Sequence, residues 1–166
     1  MMNQAIKYPL EDILKVKKRR VEEAEKQLQL RKQELAKEQE KLLEREKARD
    51  KVKAHHEDKL KQLREEFDRG TTSPKIIDMK AYIKLVKESL AVEEKRVLEQ
   101  KALVKVAEQN VEKAKKELEL RQKEVDKVKE HRADWIKGIM RELEVEEAKV
   151  QDELGNIIYT LHQRQK

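Results

Sequence analysis

The sequence has no cysteine, only two prolines and three glycines, and its aromatic side chains amount to one Trp, one Phe and three Tyr. Each scarcity removes a class of architecture or chemistry. Without cysteine there is no disulfide framework and no thiolate to act as nucleophile or metal ligand. That suits a reducing compartment, and equally an exported chain that needs no staples. Three glycines are too few for the Gly-rich turns that cradle phosphates or dinucleotides. A compact globular core draws large apolar side chains from several directions, and this chain has few to supply. No apolar run approaches the ~18 residues that span a bilayer, and Met1 to Leu14 carry no apolar stretch of signal-peptide type.

Charge is what the sequence has in abundance. Asp, Glu, Lys and Arg make up 46% of it, with 41 basic residues against 35 acidic ones. A chain this charged is a candidate for disorder, but its apolar residues recur at fixed spacing, which disorder does not require. A long pair of helices needs only a narrow apolar seam, and a composition rich in Ala, Glu, Lys, Leu and Arg suits it. The net charge of +6 favours solubility and an acidic partner.

Along the chain one slot repeats every seven residues: Leu14, Val21, Leu28, Leu35 and Leu42. The slot three residues on holds Lys17, Ala24, Arg31, Glu38 and Arg45, so half of this seam is polar. Further on the apolar residues are expected to drift to Val52, Leu60, Leu63 and Phe67, with His56 on the old register. Asp68 to Pro74 is the single turn cluster. Gly70 can take the left-handed position that ends a helix, and Ser73 can cap the next with Pro74 at its first position. The second helix has a cleaner seam of Leu90, Val97, Val104, Val111, Leu118 and Val125, with Val86, Ala107, Ala114, Val128 and Trp135 in the other slot. Glu93, Gln100 and Arg121 interrupt it. Four residues separate Ile139 from Leu143, a stutter that locally unwinds a left-handed coil. Gly138 beside it and Gly155 beyond are bends, close contacts or tolerated defects.

The predicted fold is all-α: a long two-helix antiparallel coiled-coil hairpin over residues 1–166, with a longer second helix. Helix one covers about 9–68, the turn 69–74 and helix two about 75–162. If the chain reverses near Thr71 to Ser73, residues whose numbers sum to about 145 face each other. The second helix then overhangs the first beyond about residue 137. A lone solvated helix has no use for apolar positions such as Leu143, Val150, Leu154, Ile157 and Tyr159. They imply a cover: a second copy, the N-terminal residues folded back, or another protein.

Chemistry is nearly absent. His55 and His56 are adjacent and diverge on a helix, and no set of residues completes a metal site. Paired carboxylates such as Glu146-Glu147 lack the desolvated cleft that acid–base catalysis needs. No enzyme activity, cofactor or metal is expected. The basic run Lys15, Lys17, Lys18, Arg19 and Arg20 is neutralised by acidic residues on both sides, unlike a DNA-reading region. Its readings are a solvated face or a docking surface for an acidic protein, and nucleic acid is not an expected partner. Leu63, Phe67, Ile76, Met79 and Tyr82 flank the turn, either closing the hairpin or presenting a surface to a partner. Trp135 either packs near Leu10 or anchors an interface.

The opening Tyr8-Pro9-Leu10, followed by Ile13-Leu14-Lys15-Val16-Lys17 and Arg19-Arg20-Val21-Glu22-Ala24-Glu25, resembles the YscO family of type III secretion stalk proteins, most of all its chlamydial members. The resemblance covers almost the whole chain. It implies architecture like that of FliJ and of the coiled coil in a rotary ATPase γ subunit. By this likeness the end carrying the termini, with Lys17 to Arg20 and Leu143 to Leu161, would enter a hexameric secretion ATPase. The turn end, with Phe67, would meet the cytoplasmic domain of the export gate. Export chaperones or a needle-length regulator are further implied partners. The implied location is cytoplasmic, held at a membrane-embedded apparatus through partners and without direct membrane insertion. The alternative is a structural coiled-coil scaffold or spacer unrelated to secretion.

Overall fold

The computed structural model describes residues 6–165, so the sequence expectation for Met1 to Ala5 lies outside it. Two helices account for nearly all of it: α1, Glu11–Arg69, and α2, Ser73–Arg164. There is no strand among the described residues. The fold class is an all-α helical hairpin with the longer helix second. It divides into two compact units, one formed by the chain up to Ala24 with the segment from Glu117, the other by Glu25–Lys116. They are called here the terminal unit and the turn unit.

Both helix starts differ by a residue or two from the sequence reading, for local reasons. The Glu11 N–H donates to the Tyr8 carbonyl at 3.2 Å, and the Leu14 N–H to that of Leu10 at 3.0 Å. Leu10 is therefore the cap, and Pro9 sits in the turn before it, where its fixed φ is favourable. Likewise the Ile76 N–H donates to the Thr72 carbonyl at 3.3 Å, which makes Thr72 rather than Ser73 the cap of α2. Glu11 and Asp12 in the first turn of α1 complement the positive helix end.

The reversal itself is a Schellman ending. Gly70 has φ of 74°, its N–H donates to the Phe67 carbonyl at 3.2 Å, and the Thr71 N–H reaches back to Glu66 at 3.3 Å. A side chain on residue 70 would be strained in that conformation. Gly138 and Gly155 lie inside continuous helix with open space where a Cβ would project. They are not close-contact positions.

Within each unit the helices run antiparallel. In the terminal unit Glu11 meets Arg132 at 3.5 Å and Lys17 meets Glu124 at 3.2 Å. In the turn unit Lys75 bonds Glu66 at 3.1 Å, His55 meets Tyr82 and Gln100 meets Glu38. The expected register runs longer: it would set Leu90 opposite His55 and Ala107 opposite Glu38. The observed partners lie nearer the turn, by about one helical turn at Lys75 and about two at Tyr82 and Gln100.

The seam of α2 follows the sequence reading. Val86, Val97, Val104, Ala107, Val111 and Val125 are buried. In the terminal unit Leu14, Val21 and Val125 form the core cluster, with Leu118 and Val128 against it. The seam of α1 follows the expected drift in part: Val52, Leu60 and Leu63 are half-buried, and His56 keeps the old register. Arg49, His56 and Leu63 are half-buried and continue the slot of Leu14 to Leu42, while Val52, Lys59 and Glu66 continue the other slot. Long polar side chains lay their stems along the seam with their heads toward water. An apolar pattern alone therefore loses the register there. Phe67, which the drift placed in the seam, stands outside it and is half exposed.

Candidate protein-docking surfaces

In the turn unit the seam contains a polar layer. Gln100, 7% exposed, donates through Nε2 to the Glu38 carboxylate and, at 3.0 Å, to the Glu38 carbonyl. The Gln100 hydrogen bond, aided by Lys41, holds the Glu38 carboxyl below its ordinary pKa. A polar pair at a seam position costs some stability but disfavours slipped registers. Glu93 takes Arg96 on one oxygen at 2.8 Å, and its other oxygen is buried without a partner among the described residues.

Nearer the turn, Glu66 ties the two helices together. Its hydrogen bond from Lys75 comes first in depressing its pKa, followed by the Lys75 charge, the Thr71 hydroxyl and Arg69. Leu63, Ile76 and Met79 are half-buried and close the seam around it. Two of the five candidate residues flanking the turn point outward instead. The Phe67 ring carries the Lys80 ammonium 5.7 Å from its centroid, and Tyr82 carries Lys59 at 5.6 Å. The Tyr82 hydroxyl also bonds His55 Nε2 at 2.8 Å. Beside them an open cleft of about 480 Å³ is lined by Glu66, Lys75, Met79, Tyr82 and Ile83 among others. Cations over aromatic faces give this surface an aromatic, mixed-charge character.

In the terminal unit the chain before α1 is clasped. Tyr8 is only 4% exposed. Its hydroxyl bonds His131 Nδ1, and its ring meets Trp135 edge-on with centroids 5.4 Å apart. Trp135 is thus half-buried against the N-terminal segment, as one of its two sequence readings had it, although the contact is Tyr8 rather than Leu10. Lys17 leans into the seam and bonds Glu124, whose carboxyl is held low by that hydrogen bond and by the charges of Lys17 and Arg121. Lys18, Arg19 and Arg20 face solvent.

Beyond Ile139 every described residue of α2 is exposed. Leu143 is 40% exposed, Val150, Leu154 and Ile157 each 54%, and Tyr159 64%. The described residues just before Tyr8, Ile6 and Lys7, are themselves exposed and give this face no cover. The five candidates on this segment share one long helix, while those near the turn belong to the other unit.

Sequence reasoning missed the clasp. Tyr8 lies in a stretch with no periodicity, and no repeat or motif singles out His131. The only signal was Tyr8 directly before Pro9, an aromatic ahead of a helix start. No helix among the described residues is long and apolar enough to cross a membrane, and no group of three metal-ligating side chains converges there.

The chain matches the family described as YscO-like protein over residues 5–165. Among solved structures it is similar to CT670, a YscO homolog from Chlamydia trachomatis. The two are 45% identical with a TM-score of 0.91, covering 97% of this chain and 99% of that one. It is also similar to a chain in the Chlamydia pneumoniae CdsV and CdsO protein complex, at 46% identity over 50% of this chain and 96% of that one, with a TM-score of 0.48. No curated protein matches.

Proposed function

Because the chain belongs to the YscO-like family, we propose that it is a non-enzymatic stalk of a type III secretion apparatus that works by docking with other proteins. The terminal unit engages the hexameric secretion ATPase, and the turn unit engages the cytoplasmic domain of the export gate. Association with the membrane-embedded apparatus then runs through these partners.

One observation carries the reading. Leu143, Val150, Leu154 and Ile157 keep the spacing of a seam, yet all are exposed. Water-exposed seam positions gain nothing for an isolated helix and become favourable once a partner covers them, at roughly 1.5–3 kcal/mol for each large side chain fully buried. Lys18, Arg19 and Arg20 in the same unit offer charge to the same partner. In the turn unit Phe67 and Tyr82 supply aromatic anchors of the kind that dominate interfaces.

The test is calorimetric titration of the full chain with the secretion ATPase of its own apparatus. Leu154→Ser with Ile157→Ser is expected to abolish binding while helicity by circular dichroism stays unchanged. Unchanged affinity sinks the assignment of this face. For the turn unit, Phe67→Ala is expected to weaken binding to the export-gate cytoplasmic domain and to leave ATPase binding intact.

A further inference from the structure

At about 100° per residue, Ile139, Leu143, Val150, Leu154, Ile157 and Leu161 fall within one narrow arc of α2. The borders of that arc are not charge-neutral. From Glu142 to Glu153 the helix carries Glu142, Glu144, Glu146, Glu147, Asp152 and Glu153 against the single base Lys149. Glu146, Glu153 and Glu142 lie along one border of the arc, with Lys149 just beyond Glu142, and Glu147 lies along the other, while Asp152 lies behind it. The whole chain is net basic at +6, so this acidic stretch runs against its overall balance.

Resting on the docking reading above, we infer that the partner surface for this face is an apolar groove whose rims carry Lys and Arg. A groove with acidic rims would press like charges together as the stripe seats, at a cost that grows as water is expelled. Glu146 and Glu147, one on each side and closest to the apolar arc, come nearest to burial in the complex and require cationic partners of their own. The same borders argue against an anionic membrane as the occupant. Interfacial helices place Lys and Arg beside their apolar face, and this one places Glu there.

The experiment uses the full chain and the purified hexameric secretion ATPase as probe, at low and at high salt. The variant E142K/E146K/E147K/E153K keeps the stripe and reverses its borders. It is expected to bind at least about tenfold more weakly at low salt, with the gap narrowing as salt screens the charges. Glu→Gln at the same four positions is expected to fall between the two. Asp152→Lys, behind the arc, is expected to stay within about twofold of the unchanged chain. All five positions are exposed, so helicity by circular dichroism should not move.

Binding of the charge-reversed chain as tight as the original overturns this inference and leaves the docking reading standing. An original chain that does not bind the ATPase overturns both. Binding of the original chain to phosphatidylglycerol vesicles, or self-association abolished by Leu154→Ser, would assign the face to a lipid surface or a second copy and overturn the basic groove.

Discussion

Two stretches of α2 carry the same seam spacing and meet opposite fates. Val97, Val104 and Val111 are 2%, 8% and 7% exposed, whereas Leu143, Val150 and Ile157 are 40%, 54% and 54% exposed. Intrinsic helicity does not separate them, because both lie in one uninterrupted helix. The difference is supplied by the partner. In the turn unit α1 lies along the seam, and in the terminal unit α1 begins at Glu11, preceded among the described residues by the buried Tyr8. A seam repeat therefore states a demand for a partner helix, and only topology says whether the same chain meets it. Where it does not, an apolar face is left exposed, and the proposal above assigns it to another molecule.

That contrast can be broken at several points. The largest effect is expected at Leu14, 1% exposed in the core cluster. Leu14→Ala should cost about 2–5 kcal/mol in urea unfolding, as cavity-forming core substitutions do. Tyr8→Phe comes next. It removes the hydroxyl bonded to His131 and should cost about 0.5–1.5 kcal/mol. The fluorescence of Trp135, the sole tryptophan, should change little in Tyr8→Phe and shift to the red in Tyr8→Ala, which exposes the indole. Smallest of the substitutions is Leu154→Ala, whose side chain touches no partner helix. It should move stability by no more than about 0.5 kcal/mol while weakening ATPase binding.

A pH series sharpens the comparison within the seam. Glu38, Glu66 and Glu124 all have depressed pKa values in the folded chain, through Gln100, Lys75 and Lys17 respectively. Carboxylates with depressed folded pKa values contribute stability that is present above the unfolded Glu value and lost as pH falls through the folded ones. The unfolding midpoint should therefore drop on acidification below the ordinary Glu range. Glu66→Gln should flatten part of that dependence, as followed by thermal melts across acidic pH.

Much of this architecture was legible in the residues. The Gly70 cluster marked the reversal, and the α2 positions from Val86 to Val128 marked the buried seam, because a valine or leucine repeat has few other uses in so charged a chain. The α1 seam past Leu42 was harder to read. There the polar residues Arg49, His56, Lys59 and Glu66 occupy half-buried seam positions, and hydrophobicity does not flag them. The register was also missed, since the partner of Glu38 depends on the side-chain bond from Gln100 and on the tightness of the turn. The exposed stripe was readable as an excess of apolar positions past residue 137. The clasp of Tyr8 on Trp135 and His131 was not, because a single aromatic outside any repeat carries no periodic signal.

The central claim is that the segment from Leu143 to Leu161 is a docking face left open by the chain's own fold. Amide hydrogen exchange on the full chain, alone and with the secretion ATPase, tests it most directly. The account predicts fast exchange across residues 143–161 in the free chain, slow exchange across the paired seam around Val97 to Val111, and strong protection of 143–161 once the ATPase is added. Slow exchange of that segment in the free chain, or no added protection in the complex, would contradict it.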